Sequence, residues 1–413
     1  MLSLLSFTLL ASSLSLPTSA APHRHAHRDL INPTGTIASA YYTGWHSLDG
    51  APLSAVPWSK YNTLIYAVAE TTPSVYEITL DGSAPDVFPQ FVEEAHKNGV
   101  AAHIQIGGWT GSRWFSSNVA TVANRTAFAK TITDFVKKYD LDGVNLDWEY
   151  PGRQSIGCNV VDTDDSANFL EFIKVLRNMV GPKFTLSAAV PLSPYQSDVS
   201  GYAELLDYIN IMNYDVWGSW SPEVGPNAPL NDTCAAPAKQ QGSAVSGVNA
   251  WKKAGFPVKK MVLGVPTYGK SYSVSPANAF VDGTTQVAAY PSFNSSNPPL
   301  GDSWDSPGGT DVCGNKVGPG GTWNMRNLVQ GGWLDDKGLP VDGISYRYDC
   351  CSQTPYIYNK NSQIMISYEN AESFAAKGGF IASESLHGFA IWEEGGDYNN
   401  NNLDSIRQGA GFA

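Results

Sequence analysis

The sequence predicts an α/β protein: a (β/α)8 TIM barrel with a small α+β insertion between strands 7 and 8. Three observations carry this. Short runs of β type recur along the chain, each followed by a stretch that can be helical. The best defined run, Leu141 to Pro151, alternates Val144, Leu146 and Trp148 with Asn145, Asp147 and Glu149, a period of two. Between the seventh and eighth runs lie about 120 residues, far more than one connecting helix needs.

In order, the first strand is Ala38 to Thr43 and the second Thr63 to Ala69. A helix from Phe88 to Lys97 follows, stopped by Asn98-Gly99. The third strand, Val100 to Ile106, ends at Gly107-Gly108-Trp109, and Arg125 to Tyr139 is a helix with Phe128, Ile132 and Phe135 on one side. The fourth strand should stop near Tyr150, because Pro151 cannot donate to a ladder. Glu149 then stands at its C-terminal end. Asp147 and Asn145 lie one and two pleats behind, roughly 6.5 Å apart each. Three polar groups stacked on one face cost too much desolvation to be packing residues.

A helix from Ser166 to Met179 leads to the fifth strand, Phe184 to Val190. The sixth is Tyr208 to Met212 and the seventh Met261 to Val265. Tyr272 to Tyr346, rich in Gly, Pro, Asn and β-branched residues, is the insertion. A helix from Ala371 to Lys377, the eighth strand Gly388 to Trp392 and a short helix from Asn402 to Gln408 complete the barrel. The expected organisation is therefore a signal peptide over 1–20, an N-terminal tail over 21–36, barrel strands 1–7 over 37–271, the insertion over 272–346 and barrel completion over 347–413. No Ser/Thr-rich linker or cysteine-dense module follows the eighth unit, so no separate polysaccharide-binding module is expected there.

Composition narrows the function classes. The formal net charge of −12 argues against nucleic acid as a partner. The apolar run Leu2 to Leu16, followed by Pro17-Thr-Ser-Ala20, has the form of a secretory signal and is too short to span a bilayer, so an extracellular protein with no membrane partner is expected; a monomer is the expected state. His23, His25 and His27 alternate with Arg24, Ala26 and Arg28, which fits a processed tail better than a metal site. Five cysteines should be mostly oxidised in a secreted chain, and the expected pairing is Cys158–Cys234 and Cys313 with Cys350 or Cys351. Asn124-Arg-Thr, Asn231-Asp-Thr and Asn294-Ser-Ser are glycosylation sequons.

Barrel enzymes carry their chemistry at the C-terminal ends of the strands. Trp45, Gly107-Gly108-Trp109, Glu149, Tyr214-Asp215, Tyr268 and Trp392 collect there. Flat rings offer a surface for the C–H faces of a sugar, and a carboxyl group among them can donate a proton. A carbohydrate-cleaving site is the reading.

At these residues the chain resembles a family. Asp142-Gly-Val-Asn145-Leu-Asp147-Trp-Glu149 is similar to the DxxDxDxE signature of glycoside hydrolase family 18, the chitinases, of secreted fungal style. The resemblance runs from about Ser39 to about Asp397 and includes Met212-Asn-Tyr214-Asp215, Trp392 and the insertion. It implies substrate-assisted, retaining hydrolysis of β-1,4-linked N-acetylglucosamine polymers, without cofactor or metal. Glu149 would be the acid and then the base. Asp147 would hold the acetamide N–H and Tyr214 its oxygen. Asp215 would contact hydroxyls, Trp392 would floor the site, and Tyr41, Trp109, Asn145, Met212 and Tyr268 complete the sugar-binding set.

Two departures stand out. Asn145 occupies a position where the family usually has Asp, and Gln105-Ile-Gly107-Gly108 replaces Ser-x-Gly-Gly. The second is expected to alter packing beneath the site. The first touches the mechanism: Asn145 cannot titrate, and its amide is expected to donate to Asp147 and keep it ionised. A chitin-binding lectin of the same fold and an endo-β-N-acetylglucosaminidase acting on N-glycans are the alternatives.

Overall fold

The computed structural model describes residues 35–412. The signal peptide, most of the tail and the alternating histidines expected from the sequence lie outside the described residues. Among the described residues no helix is long and apolar enough to cross a membrane.

The barrel strands are Ile37–Thr43, Thr63–Thr71, Ala101–Gly107, Gly143–Asp147, Thr185–Val190, Tyr208–Met212, Met261–Pro266 and Gly388–Trp392. Each pairs in parallel with its neighbours, and the first strand closes the ring by pairing with both the second and the eighth. This is the predicted eight-stranded barrel.

The period-two pattern now has a physical meaning. Val144, Leu146 and Trp148 face outward into the main apolar core between strands and helices, where Trp148 stacks on Phe115 at 5.2 Å. Asn145 and Asp147 are also buried, but among the lumen-facing residues. The lumen has its own apolar group, including Tyr41, Ile65, Tyr208 and Val262, with Trp392 packed against it. A strand buried on both faces is what a parallel barrel requires. The fourth strand closes at Asp147, so Glu149 stands just beyond the ladder.

An antiparallel sheet stands between the seventh and eighth barrel strands. Its strands lie in the order Thr322–Asn324, Tyr268–Ser273, Ile364–Ser367, Thr354–Asn359 and Ile344–Asp349. The sheet thus draws strands from both sides of the 272–346 window. Tyr268–Ser273 leaves the seventh barrel strand almost at once, and the hairpin from Thr354 to Ser367 returns to pair with it. Two apolar clusters hold this sheet, one around Tyr272, Tyr356 and Tyr358 and one around Met325, Ile357 and Ile366.

The disulfides differ from the expected pairing. Cys158 bonds Cys313, Cys234 bonds Cys351, and Cys350 is free and exposed. The reason is spatial. Cys158 follows the fourth strand and Cys234 the sixth, and each loop meets the inserted segment, so each barrel cysteine finds a partner there. With separations of 155 and 117 residues, spacing alone could not select these partners.

Candidate active site

The lumen face of the third and fourth strands builds the base of the site in layers. Register pairs His103 with Gly143, Gln105 with Asn145 and Gly107 with Asp147. The glycines are required here. A Cβ at Gly143 would lie 2.4 Å from the His103 ring, and one at Gly107 would lie 2.1 Å from the Asp147 carbonyl oxygen.

Above these layers opens a cavity of about 510 Å³, in the range of small-molecule sites. Asp147, Glu149, Tyr214, Asp215, Met212, Tyr268, Trp109 and Trp392 all line it, so eight of the ten residues singled out from the sequence converge on one space. Tyr41 and Asn145 do not. Both are fully buried beneath the cavity, where the Tyr41 hydroxyl donates to Asn145 Oδ1 (3.0 Å) and accepts from Asn210 Nδ2 (2.9 Å). The Tyr41 ring packs on Trp392 with centroids 5.1 Å apart. Their place is that of supports for the floor rather than lining groups.

The geometry also corrects the role expected of Asn145. Its amide donates to Ser187 Oγ at 2.9 Å. The donor to Asp147 is instead Gln105, whose Nε2 lies 2.5 Å from Asp147 Oδ2, while Asp147 Oδ1 has no partner. Asn145 turns away because Tyr41 and Ser187 satisfy it inside the lumen. Gln105 reaches up because its longer side chain spans one layer.

Glu149 is held from below. Its N–H donates to Ser112 Oγ (2.9 Å), and its carbonyl oxygen accepts from Ser155 Oγ (2.6 Å). Burial raises the Glu149 carboxyl well above the ordinary carboxylate range, and the neighbouring Asp147 raises it further, against a hydrogen bond from Tyr150. Asp147 is itself pushed up to about 7 by burial, against the Gln105 bond. Burial and the neighbouring carboxyl thus both favour the protonated form of Glu149.

On the opposite side Asp215 sits at the exposed edge, with φ of 53° and its carboxylate 3.1 Å from Lys270 Nζ. Lys270 lies over the Tyr268 ring at 5.0 Å. Sequence reasoning missed Gln105 as a site group, and also Lys270, Tyr150, Arg153, Leu192 and Gln241. Lys270 had one available signal: it lies two residues beyond Tyr268 on the same strand, hence on the same face. Arg153 and Gln241 come from loops and carry no periodic signal. Among the described residues, no cluster of three or more His, Cys, Asp or Glu could hold a metal ion.

Comparison with known proteins agrees with this architecture. The profile of Glycosyl hydrolases family 18 matches residues 38–397. A "chitinase-like effector" of Moniliophthora roreri is 51% identical over 421 aligned residues spanning the whole of both chains. The crystal structure of a chitinase from Rhizomucor miehei superposes with a TM-score of 0.81 at 31% identity, covering 90% of this chain and 99% of that one. A class V chitinase from Nicotiana tobaccum, solved in complex with NAG4, shares the fold at a TM-score of 0.71 and 22% identity, covering 91% of this chain and 99% of that one. The chain belongs to glycosyl hydrolases family 18.

Proposed function

We propose that this chain is a secreted chitinase, hydrolysing β-1,4-linked N-acetylglucosamine polymers and oligomers with retention of configuration. The observation that carries the reading is the pair Asp147 and Glu149. They are two carboxyl groups lining one aromatic-lined cavity, both raised by burial and Glu149 raised further by its neighbour, while the other carboxylate lining it, Asp215, is engaged by Lys270. Unequal partners define an acid and a charge stabiliser. The disulfides and the secretory form of the N-terminus support an extracellular setting.

The steps follow from these roles. Trp392 carries the sugar ring at the cleavage point. Glu149 gives its proton to the glycosidic oxygen as the C1–O bond breaks. The substrate's own acetamide oxygen bonds to C1, forming an oxazolinium ion. Asp147, ionised, accepts the acetamide N–H and offsets the positive charge. Tyr214 donates to the acetamide oxygen and orients it. Glu149, now a carboxylate, takes a proton from water as the water oxygen bonds to C1 and the acetamide leaves. Two inversions give net retention, and Glu149 ends protonated.

The test is chitohexaose hydrolysis followed by proton NMR of the first-formed anomers. Retained β-anomer is expected, and fully deacetylated chitosan should resist cleavage. Inverted product, or equal rates on both substrates, overturns the mechanism. A second reading, a chitin-oligosaccharide binding protein of the same fold, is favoured by Asn145 and by the "chitinase-like effector" name of the full-length relative. Oligomer binding without turnover selects it. Release from a high-mannose glycopeptide would instead select the N-glycan reading.

A further inference from the structure

Asp147 is a carboxylate in an unusual setting. It is 2% exposed, one oxygen has no partner, and the other accepts one bond, from Gln105. The group directly behind it on the fourth strand, Asn145, has neither a proton to share nor an amide turned toward it. Gln105 comes from the neighbouring strand, one layer below, and its own Oε1 is buried without a partner. The backbone of Gly108 runs beside this contact. A Cβ at Gly108 would lie 3.7 Å from Gln105 Nε2 and 3.9 Å from Asp147 Oδ2, and Gly108 has φ of 72°.

We infer that Gln105 is a positioning residue for Asp147, holding its carboxylate ionised and fixed toward the substrate's acetamide in place of a proton-sharing acid. The inference rests on the hydrolase reading for its consequence in turnover, but not for its physical content. An amide N–H can only donate. Its bond to Oδ2 therefore favours the charged carboxylate and pins one rotamer. The unpartnered Oδ1 is left for an acetamide N–H. The titratable groups facing Asp147 are Glu149 and Tyr150 on its own segment, Tyr41 from the first strand, Tyr195 beyond the fifth and Tyr214 beyond the sixth. Each of the four tyrosines is neutral at working pH, being raised by burial, so Glu149 is the one partner whose charge competes.

The two departures from the family signature then form one exchange across adjacent strands. Position 145 carries an amide where the family pattern usually has an acid, and position 105 carries a donor long enough to reach Asp147. This makes a rescue experiment available. Gln105→Leu removes the donor and keeps the bulk. On chitotetraose it should lower kcat roughly tenfold or more while KM stays within about threefold, and move the acid limb of kcat/KM up by about one pH unit. Adding Asn145→Asp to Gln105→Leu should restore most of the lost kcat, because Asp at 145 can share a proton with Asp147. A lower kcat with an unmoved acid limb, or a double variant worse than the single, assigns Gln105 to packing and overturns the inference.

A direct measurement separates this from the hydrolase reading. The Asp147 carboxyl is followed by 13C NMR against pH, assigned by its loss in Asp147→Asn, in wild type and in Gln105→Asn. Asn is too short to reach Oδ2 but keeps an amide, which guards against misfolding by Leu. Titration at higher pH in Gln105→Asn supports the inference whether or not the wild type cuts chitotetraose. An identical titration overturns it.

Discussion

Asp147 and His103 make an instructive pair. Both face the lumen, on adjacent strands two layers apart, and both are 1–2% exposed. Burial disfavours the charged form of each, pushing Asp147 up to about 7 and His103 down to about 4. The difference is what lies above. Asp147 borders the cavity, keeps one donor and sits beside Glu149. His103 is sealed under Gln105 and Asn145, with neither ring nitrogen partnered. The same desolvation raises a cavity-lining carboxyl at the mouth and favours a neutral imidazole at the base.

The largest effect expected at the mouth comes from Glu149→Gln. Loss of the acid and base should lower chitohexaose turnover by about 10³-fold or more, with oligomer affinity by calorimetry within a few-fold of wild type. Near-normal hydrolysis removes Glu149 from its role and the mouth from the comparison.

At the base, the sign of linkage is opposite to that at the mouth. The folded-state value for His103 lies below the unfolded one. Its stability contribution is complete above about 6.5, the unfolded value, and is lost as pH falls toward 4. His103→Leu should shrink the loss of unfolding free energy between pH 7 and pH 4 by about 3 kcal/mol, measured by denaturant titration. An unchanged acid-side slope means the imidazole finds a partner inside the lumen.

Asp147 slopes the other way. Its folded-state value is raised, so stability is complete below about 4 and falls as pH rises through about 7. Asp147→Asn should melt a few degrees higher than wild type at pH 8 and equally at pH 4. Equal melting at both pH values would mean that burial does not raise Asp147 and would remove the mouth from the comparison.

Asn145→Asp, between the two, should alter the acid limb of kcat while leaving turnover within about tenfold, since Asp147 already has Gln105. An unaltered limb rejects any link between position 145 and Asp147. Smallest of all is Cys350→Ser, which touches neither disulfide and should leave the melting temperature within about one degree.

Much of this was legible along the chain. Alternation around Leu146 fixed which residues share a face, and a barrel delivers lumen-facing residues at strand ends to one mouth. Glu149, Tyr214, Tyr268 and Trp392 could be placed together for that reason. The disulfide partners were not legible, because the loops after Glu149 and Tyr214 meet the inserted segment only after the chain has closed. Tyr41, expected among the sugar-binding residues, proved buried beneath the cavity, since depth along the lumen depends on what caps it, here Trp392.

The sequence by itself determined the barrel and brought the proposed site residues, Glu149 among them, to one mouth, because these depend on periodicity and on position within a strand. Only the tertiary structure decided which amide serves Asp147. Gln105 and Asp147 are 42 residues apart, and their contact depends on the stagger of two strands and the length of one side chain. Local pattern encodes which face a side chain takes, not how far it reaches across to the next strand.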